Sequence, residues 1–168
     1  MSQFKKRYRV EKANFEELHS ALDLRTKCSG SHLAEQIDSR LELLAFLRYL
    51  ATASFMEVAG DLTGMSKASV FRAVHRCMKA VANLSSKYIN FDHDLRRIQR
   101  GFESLHGFPF VIGAIDGMHV PIQSVSTLRA ELFRNRKGRF SVNVQAGCDS
   151  RKLFLDVIAR WAGSTHDS

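Results

Sequence analysis

Proline is nearly absent: there are two in 168 residues, both beyond residue 100, and none between Phe15 and Leu84. A proline inside a helix removes a backbone hydrogen bond and clashes with the preceding turn, so its absence leaves the first half free to be helical. Cysteine is also scarce. Cys28, Cys77 and Cys148 are far apart, odd in number, and form neither a CxxC pair nor a zinc spacing with histidine. That excludes a disulfide framework or a zinc module, and the three read as reduced core residues. No stretch reaches the roughly 18 uncharged apolar residues that a membrane-crossing helix needs, and the opening MSQFKKRYRV lacks the apolar core of a signal peptide. A soluble, intracellular chain with no membrane partner is expected. Acids are in short supply against bases, 17 Asp+Glu to 25 Lys+Arg, for a formal charge of +8. Most of the excess lies in residues 1–100, which hold 17 bases and 11 acids, against 8 and 6 in residues 101–168. Such a balance points to a polyanionic partner, because cations that neutralise phosphates release condensed counterions.

What is there divides into two textures. From Phe15 to Leu84 apolar residues recur at helical spacing in a background of Ala, Leu, Glu and Lys. The pattern predicts a helix over about Asn14 to Thr26, a loop at Cys28–Ser31, and a helix over about Ala34 to Thr52 that buries Leu41, Leu44, Ala45 and Leu50. From Phe108 onward, FPFVIGAID, HVPIQ, RFSVNVQAGCD and KLFLDVIARW are short runs rich in Val, Ile and Phe, separated by Gly, Asp and Ser. These predict strands. The boundary is expected at about residues 90–107, giving an α+β chain with a helical domain over 1–100 and a strand-rich domain over 108–168.

Within the helical half, residues 54–82 read as a helix-turn-helix: a short helix from Ser54, a turn at Gly64, and a second helix capped by Ser66. Val58, Ala59 and Leu62 are expected beneath it. On the second helix Val70, Val74, Cys77 and Val81 fall in a stripe about 60° wide that faces the core. Opposite lie Ser69, Arg72, His75, Arg76 and Lys79, and the span Ser66–Val81 holds four Lys+Arg and no acid. Such a helix suits a major groove, with Lys67, Ser69 and Arg72 reaching base edges and Arg76 and Lys79 meeting phosphates. A hairpin of helices with a solvated basic face is the alternative. The cluster Lys5–Arg9 reads either as added phosphate contacts or as a solvated tail.

In Val111–Gly117 an apolar strand delivers the carboxylate of Asp116 at its end. Asp-Gly between apolar stretches is equally a hairpin signal, since both residues tolerate positive φ. A catalytic reading needs a second acid, because Mg²⁺ takes hard oxygen ligands, commonly one or two carboxylates with phosphate oxygens. Asp149-Ser150 looks like a turn between strands, and Asp156 is within a strand where arginines can pair with it. Asp167 follows the polar break Gly163-Ser164-Thr165-His166. Its alternative role is at a helix start, with Ser164 or Thr165 as cap. Arg134–Arg139 is either a DNA-backbone clamp or a basic hairpin tip, and Trp161 is either core or a stacking platform.

FPFVIGAIDGMHVPI, the run from NRKGRFSVNVQAGCD to ARWAGSTHDS, and the helix-turn-helix before them resemble the PIF/Harbinger transposase-derived nucleases of the DDE superfamily. The resemblance implies an incomplete ribonuclease-H-like mixed core whose first two catalytic acids are Asp116 and Asp167, 51 positions apart. It implies that they bind a divalent cation, Mg²⁺ or Mn²⁺, with His119 and His166 as neighbours of the acids. DNA would be the substrate, the nucleus the location, and a homo-oligomer or an accessory DNA-binding protein the further partner. Met118 stands where threonine is usual and Ala162 where proline is expected. The third acid of such enzymes would lie beyond Ser168, so this chain is read as an N-terminal fragment that is inactive alone. A DNA-binding remnant without catalysis and a helical adaptor for an acidic protein are the competing readings.

Overall fold

Ser2 accepts a hydrogen bond from the Lys5 N–H at 3.2 Å and so starts a first helix, α1 (Gln3–Tyr8), within the basic N-terminal cluster. A computed structural model describes residues 2–22, 24, 37–91, 94–124 and 129–165. The chain divides into two compact units, Met1–Ser85 and Ser86–Ser168. This division comes before the composition break at 90–107.

In the first unit α1 is followed by α2 (Lys12–Ala21), α3 (Ser39–Thr52), α4 (Met56–Thr63) and α5 (Lys67–Asn83). The N-terminal cluster is therefore helical, not a tail: Phe4 and Tyr8 pack against the core, and Lys5 pairs with Glu11 at 2.6 Å. Helix α2 is shorter than the Asn14–Thr26 expected. It ends at Ala21, where Leu22 turns extended and buries itself. The expected loop at Cys28–Ser31 lies outside the described residues. Helix α3 starts at Ser39 because Asp38 caps it, accepting from the Arg40 N–H at 2.9 Å. Its buried face is Glu42, Leu43, Ala45, Phe46 and Leu47; of the residues expected there only Ala45 is fully buried. Leu44 is half-buried, and Leu41 and Leu50 are exposed. Leucines lie all round this helix, so periodicity leaves its phase open. Leu43, Phe46 and Leu47 take the core side, and Glu42 beside them turns inward to an arginine.

Helix α4 ends at Gly64, whose φ of 68° is the left-handed conformation that glycine adopts without strain. Ser66 then caps α5, accepting from the Ser69 N–H at 3.2 Å. Ala59, Val70, Val74 and Cys77 are buried as expected and join Phe15, Leu43, Phe46 and Leu47 in one core. Val58 and Leu62 are exposed instead, since α4 is short and turns only its Ala59–Gly60 side inward. Burial pushes the Cys77 thiol up to about 12, so it is an inert core group.

The helix α6 (Ser85–Tyr88) lies at the division between the units, and the second unit continues with α7 (Leu95–His106), capped by Asp94. Three strands follow, β1 (Ala114–Pro121), β2 (Ser141–Cys148) and β3 (Phe154–Ala162), in an antiparallel sheet of order β1-β2-β3. Ile98 of α7 is buried, and at Gly101 this helix runs so close to Ser150 that a β-carbon would collide with that side chain. Phe108–Gly113, read as the start of a strand, is not one. Pro109 has no N–H to donate and Phe110 takes a positive φ of 63°, so pairing begins only at Ala114. HVPIQ is no separate strand either; its His119–Pro121 belongs to β1. Among the described residues no helix is long and apolar enough to cross a membrane.

Candidate functional site

Asp116 does not stand at the end of a strand, and Asp116-Gly117 is no hairpin turn. The two residues lie inside β1, opposite Ala146 and Gln145 of β2. Paired residues of a ladder point to the same side. One face of the sheet therefore carries Asp116, Met118 and Val120 with Ala146, Val144 and Val142, and the other carries Gly117 and His119 with Gln145 and Asn143. On the second face Ser141 and Asn143 of β2 are buried, while Gly117, His119 and Gln145 are exposed. Asp116 is exposed, and its Oδ1 accepts the Gly117 N–H at 2.8 Å while Oδ2 has no partner among the described residues. An exposed carboxylate of this kind has the hard oxygen donors that Mg²⁺ or Mn²⁺ takes.

Asp167 and His166 lie outside the described residues. Among the described residues no three His, Cys, Asp or Glu side chains form a metal-holding group. The chain leading to Asp167 is nevertheless firmly held. Ser164 N–H donates to the Leu132 carbonyl at 3.0 Å, Thr165 N–H to the Ala162 carbonyl at 2.9 Å, and the Asn143 amide reaches the Thr165 carbonyl at 3.4 Å. Ser141 Oγ is the hub beside it, bonded to Asn135 Nδ2 at 3.0 Å and to His119 Nδ1 at 3.1 Å. Gly163 sits against this hub with no room for a side chain: a β-carbon would fall 2.5–2.6 Å from the Phe133 carbonyl and from both oxygens of Ser141. Two of those three atoms are backbone and cannot rotate away. Gly163→Ala is expected to cost about 1–3 kcal/mol by overpacking. Urea unfolding of the two proteins measures this, and equal midpoints would refute the tight fit.

Asp149 is structural, as the turn reading had it. Desolvation pushes its carboxyl up, but the Leu153 N–H, the Arg151 guanidinium and the Arg151 N–H outweigh that and hold it below its ordinary value. Asp156 lies in β3, exposed, opposite Gly147. The segment Arg134–Arg139 forms a tight turn closed by Gly138 N–H to the Asn135 carbonyl at 2.8 Å. Arg134 is tied to Glu131 at 2.7 Å, while Arg136, Lys137 and Arg139 are exposed. Trp161 is half-exposed, with the Arg160 guanidinium 5.1 Å from its ring centroid.

On α5 the cations differ in their freedom. Arg72 and Lys79 are exposed, as is His75. Ser69 is half-buried, held by Ser66 Oγ at 3.0 Å and by Arg72 at 3.4 Å. Lys67 pairs with Glu57 at 2.6 Å, on the exposed surface, and its ammonium holds that carboxyl below the usual range. Arg76, placed with the phosphate contacts by the sequence pattern, is bound to Glu42 at 2.7 Å. Glu42 is 2% exposed; burial pushes its carboxyl above the ordinary value against the pull of Arg76, and its Oε2 has no partner among the described residues. Arg76 thus anchors α5 to α3. Sequence reasoning missed Glu42 because an acid between two leucines reads as solvated.

Residues 115–168 match the family described as DDE superfamily endonuclease, a span that begins one residue before Asp116 and takes in β2, β3 and Asp167. A protein of Rattus norvegicus named "Putative nuclease HARBI1" is 35% identical over 134 residues, which cover 78% of this chain and 38% of that protein. Over most of its length the chain is thus similar to Harbinger transposase-derived proteins, and over residues 115–168 to the DDE superfamily endonucleases. The Homo sapiens protein of the same name is 34% identical over the same shares, and an Arabidopsis thaliana protein named "Protein ALP1-like" is 29% identical over 72% of this chain and 30% of its own length. The rat alignment is far longer than residues 115–168, so the likeness to Harbinger-derived proteins extends into the helical part. The chain spans 38% of the length of these nuclease-named relatives. No solved structure matches it.

Proposed function

We propose that the chain is the DNA-contacting and first metal-ligating portion of a divalent-metal-dependent DNA nuclease acting in the nucleus. The observation that carries this reading is Asp116, an exposed carboxylate inside β1 within the span that matches the DDE superfamily endonucleases. Asp116 and Asp167 would hold the cation, and the antiparallel β1-β2-β3 meander would be the opening of a ribonuclease-H-like sheet. A bound Mg²⁺ or Mn²⁺ would supply positive charge to acidify a nucleophile and to neutralise the oxygens of the phosphodiester. The chain's own part is to place the acids. Strand β1 fixes Asp116, the Gly117 N–H orients its Oδ1, and Ser141, Asn143 and Gly163 hold the segment that leads to His166 and Asp167. His119, exposed on the side away from Asp116, is held by Ser141, which borders this segment. The relatives' names, with the match to an endonuclease family, support DNA as substrate; a second copy or an accessory DNA-binding protein would complete recognition.

In this reading α4 and α5 act as a helix-turn-helix. Arg72 and Lys79 meet DNA directly, Lys67 and Ser69 lie at the N-terminal end of the helix where base edges are reached, and Arg76 holds α5 in place. The second reading, a DNA-binding protein without catalysis, is favoured by the same basic stripe and needs no metal. Both require salt-dependent binding. Each phosphate neutralised adds about 0.9 to the slope of log affinity against log salt, so Arg72→Ala/Lys79→Ala should make the slope shallower by about 2. Fluorescence anisotropy with a labelled duplex from low to physiological salt measures it. An unchanged slope would remove α5 from the DNA interface.

A further inference from the structure

The outer side of α5 is not only cationic. Counting 100° per residue from the buried Val70, the residues Ala68, Phe71, Arg72, His75 and Lys79 fall in one sector about 100° wide. Phe71 is 50% exposed in it, a large apolar surface that the core does not use. Its ring is also held. The His75 ring lies 4.1 Å away, centroid to centroid, and His75 Nδ1 donates to the Phe71 carbonyl at 3.0 Å. Beside the ring is a depression of about 410 Å³ lined by Met56, Lys67, Ala68, Phe71 and Arg72. Met56, Ala68 and Phe71 give it apolar walls, and the two cations stand at its edge.

A helix that only gripped phosphates would have no use for a fixed, exposed aromatic ring between its cations. In a major groove the donors and acceptors on the base edges are polar, and among the four unmodified bases the one methyl group displayed there is that at C5 of thymine. Resting on the reading of α5 as the helix that meets DNA, we infer that Phe71, with Ala68 and Met56 beside it, receives a thymine C5-methyl group. This makes α5 a reader of thymine-containing sites. Arg72 and Lys79 supply affinity that is blind to sequence, and Phe71 supplies part of the discrimination.

The test uses the full chain and a random-sequence duplex pool. Duplexes enriched by the wild type are measured again with each thymine replaced in turn by deoxyuridine, which lacks only the methyl. Wild type should lose about four-fold in affinity at one or two thymines, the factor that corresponds to leaving one methyl-sized group unburied. In Phe71→Ala the same replacements should change affinity by less than about 1.5-fold, as expected once the interacting partner is gone. Phe71→Leu, which keeps an apolar contact, should retain part of the effect, and unchanged far-UV circular dichroism establishes that both variants keep their helices. Full methyl sensitivity in Phe71→Ala, or none at any thymine in the wild type, overturns the inference while duplex binding stands. No enrichment and no salt-dependent duplex affinity in the wild type overturns the underlying DNA reading, and the inference with it.

Discussion

Arg76→Ala is expected to lower stability by about 2–4 kcal/mol at pH 7, although the residue looks like a surface cation in the sequence. Glu42 is 2% exposed and Arg76 is its only ion-pair partner among the described residues, at 2.7 Å. Removing one member of a buried pair strands the other charge, which typically costs about 3–5 kcal/mol. Two features reduce that figure here. Water reaches Arg76, whose side chain is 36% exposed, and Glu42 can escape its predicament by taking up a proton. The second feature gives the prediction a pH signature. The Glu42 carboxyl is already raised above its ordinary value of 4.5 by burial, against the pull of Arg76. Without that pull it rises further.

An acid whose pKa is higher in the folded than in the unfolded chain binds more protons when folded, so stability falls as pH rises through that window. The contribution is complete below 4.5 and is lost as pH climbs through the raised folded value. Arg76→Ala should therefore be closer to wild type at pH 4.5 than at pH 7. Urea unfolding at the two pH values, followed by helical circular dichroism, measures both terms. Glu42→Gln/Arg76→Ala should recover most of the pH 7 loss, because the stranded charge has gone. A cost below about 0.5 kcal/mol, the range of ordinary surface substitutions, would mean that the pair does not anchor α5 to α3.

The same pair marks how far the sequence could be read. The stripe of Val70, Val74 and Cys77 was legible because β-branched and small residues recur at one helical phase and Arg72, Arg76 and Lys79 lie opposite. The phase of α3 was not, because leucines surround it and Glu42 reads as solvated until Arg76 is seen across from it. Strands β2 and β3 were legible from their apolar runs and the Asp149 turn between them. Asp116-Gly117 misled in the local sense, since the dipeptide is a strong turn former; cross-strand pairing with Ala146 and Gln145 overrides that preference. Helix α1 was hidden by its charge. Only the packing of Phe4 on Phe15, with Tyr8 against Phe4, makes the basic run an element of the fold. Asn143 and Ser141 carry no signal in the sequence beyond that of polar residues in a strand, yet they brace the segment that carries Gly163, Ser164 and Thr165.

The nuclease reading depends on Asp116 and Asp167 serving one cation, and the effect expected there is the largest of all. Residues in the shell behind a metal typically change affinity by about 10–100-fold, and removing a direct carboxylate ligand should do at least as much. Asn is close to Asp in shape, so Asp116→Asn and Asp167→Asn take away charge with little disturbance of β1. The direct measurement is Mn²⁺ titration of the whole chain, following the free-ion electron paramagnetic resonance signal, for wild type and each variant. Wild type is expected to take up Mn²⁺, and either substitution is expected to weaken uptake at least ten-fold. Wild type that leaves Mn²⁺ free at millimolar concentration, or an Asp116→Asn protein that binds as well as wild type, would contradict the nuclease reading.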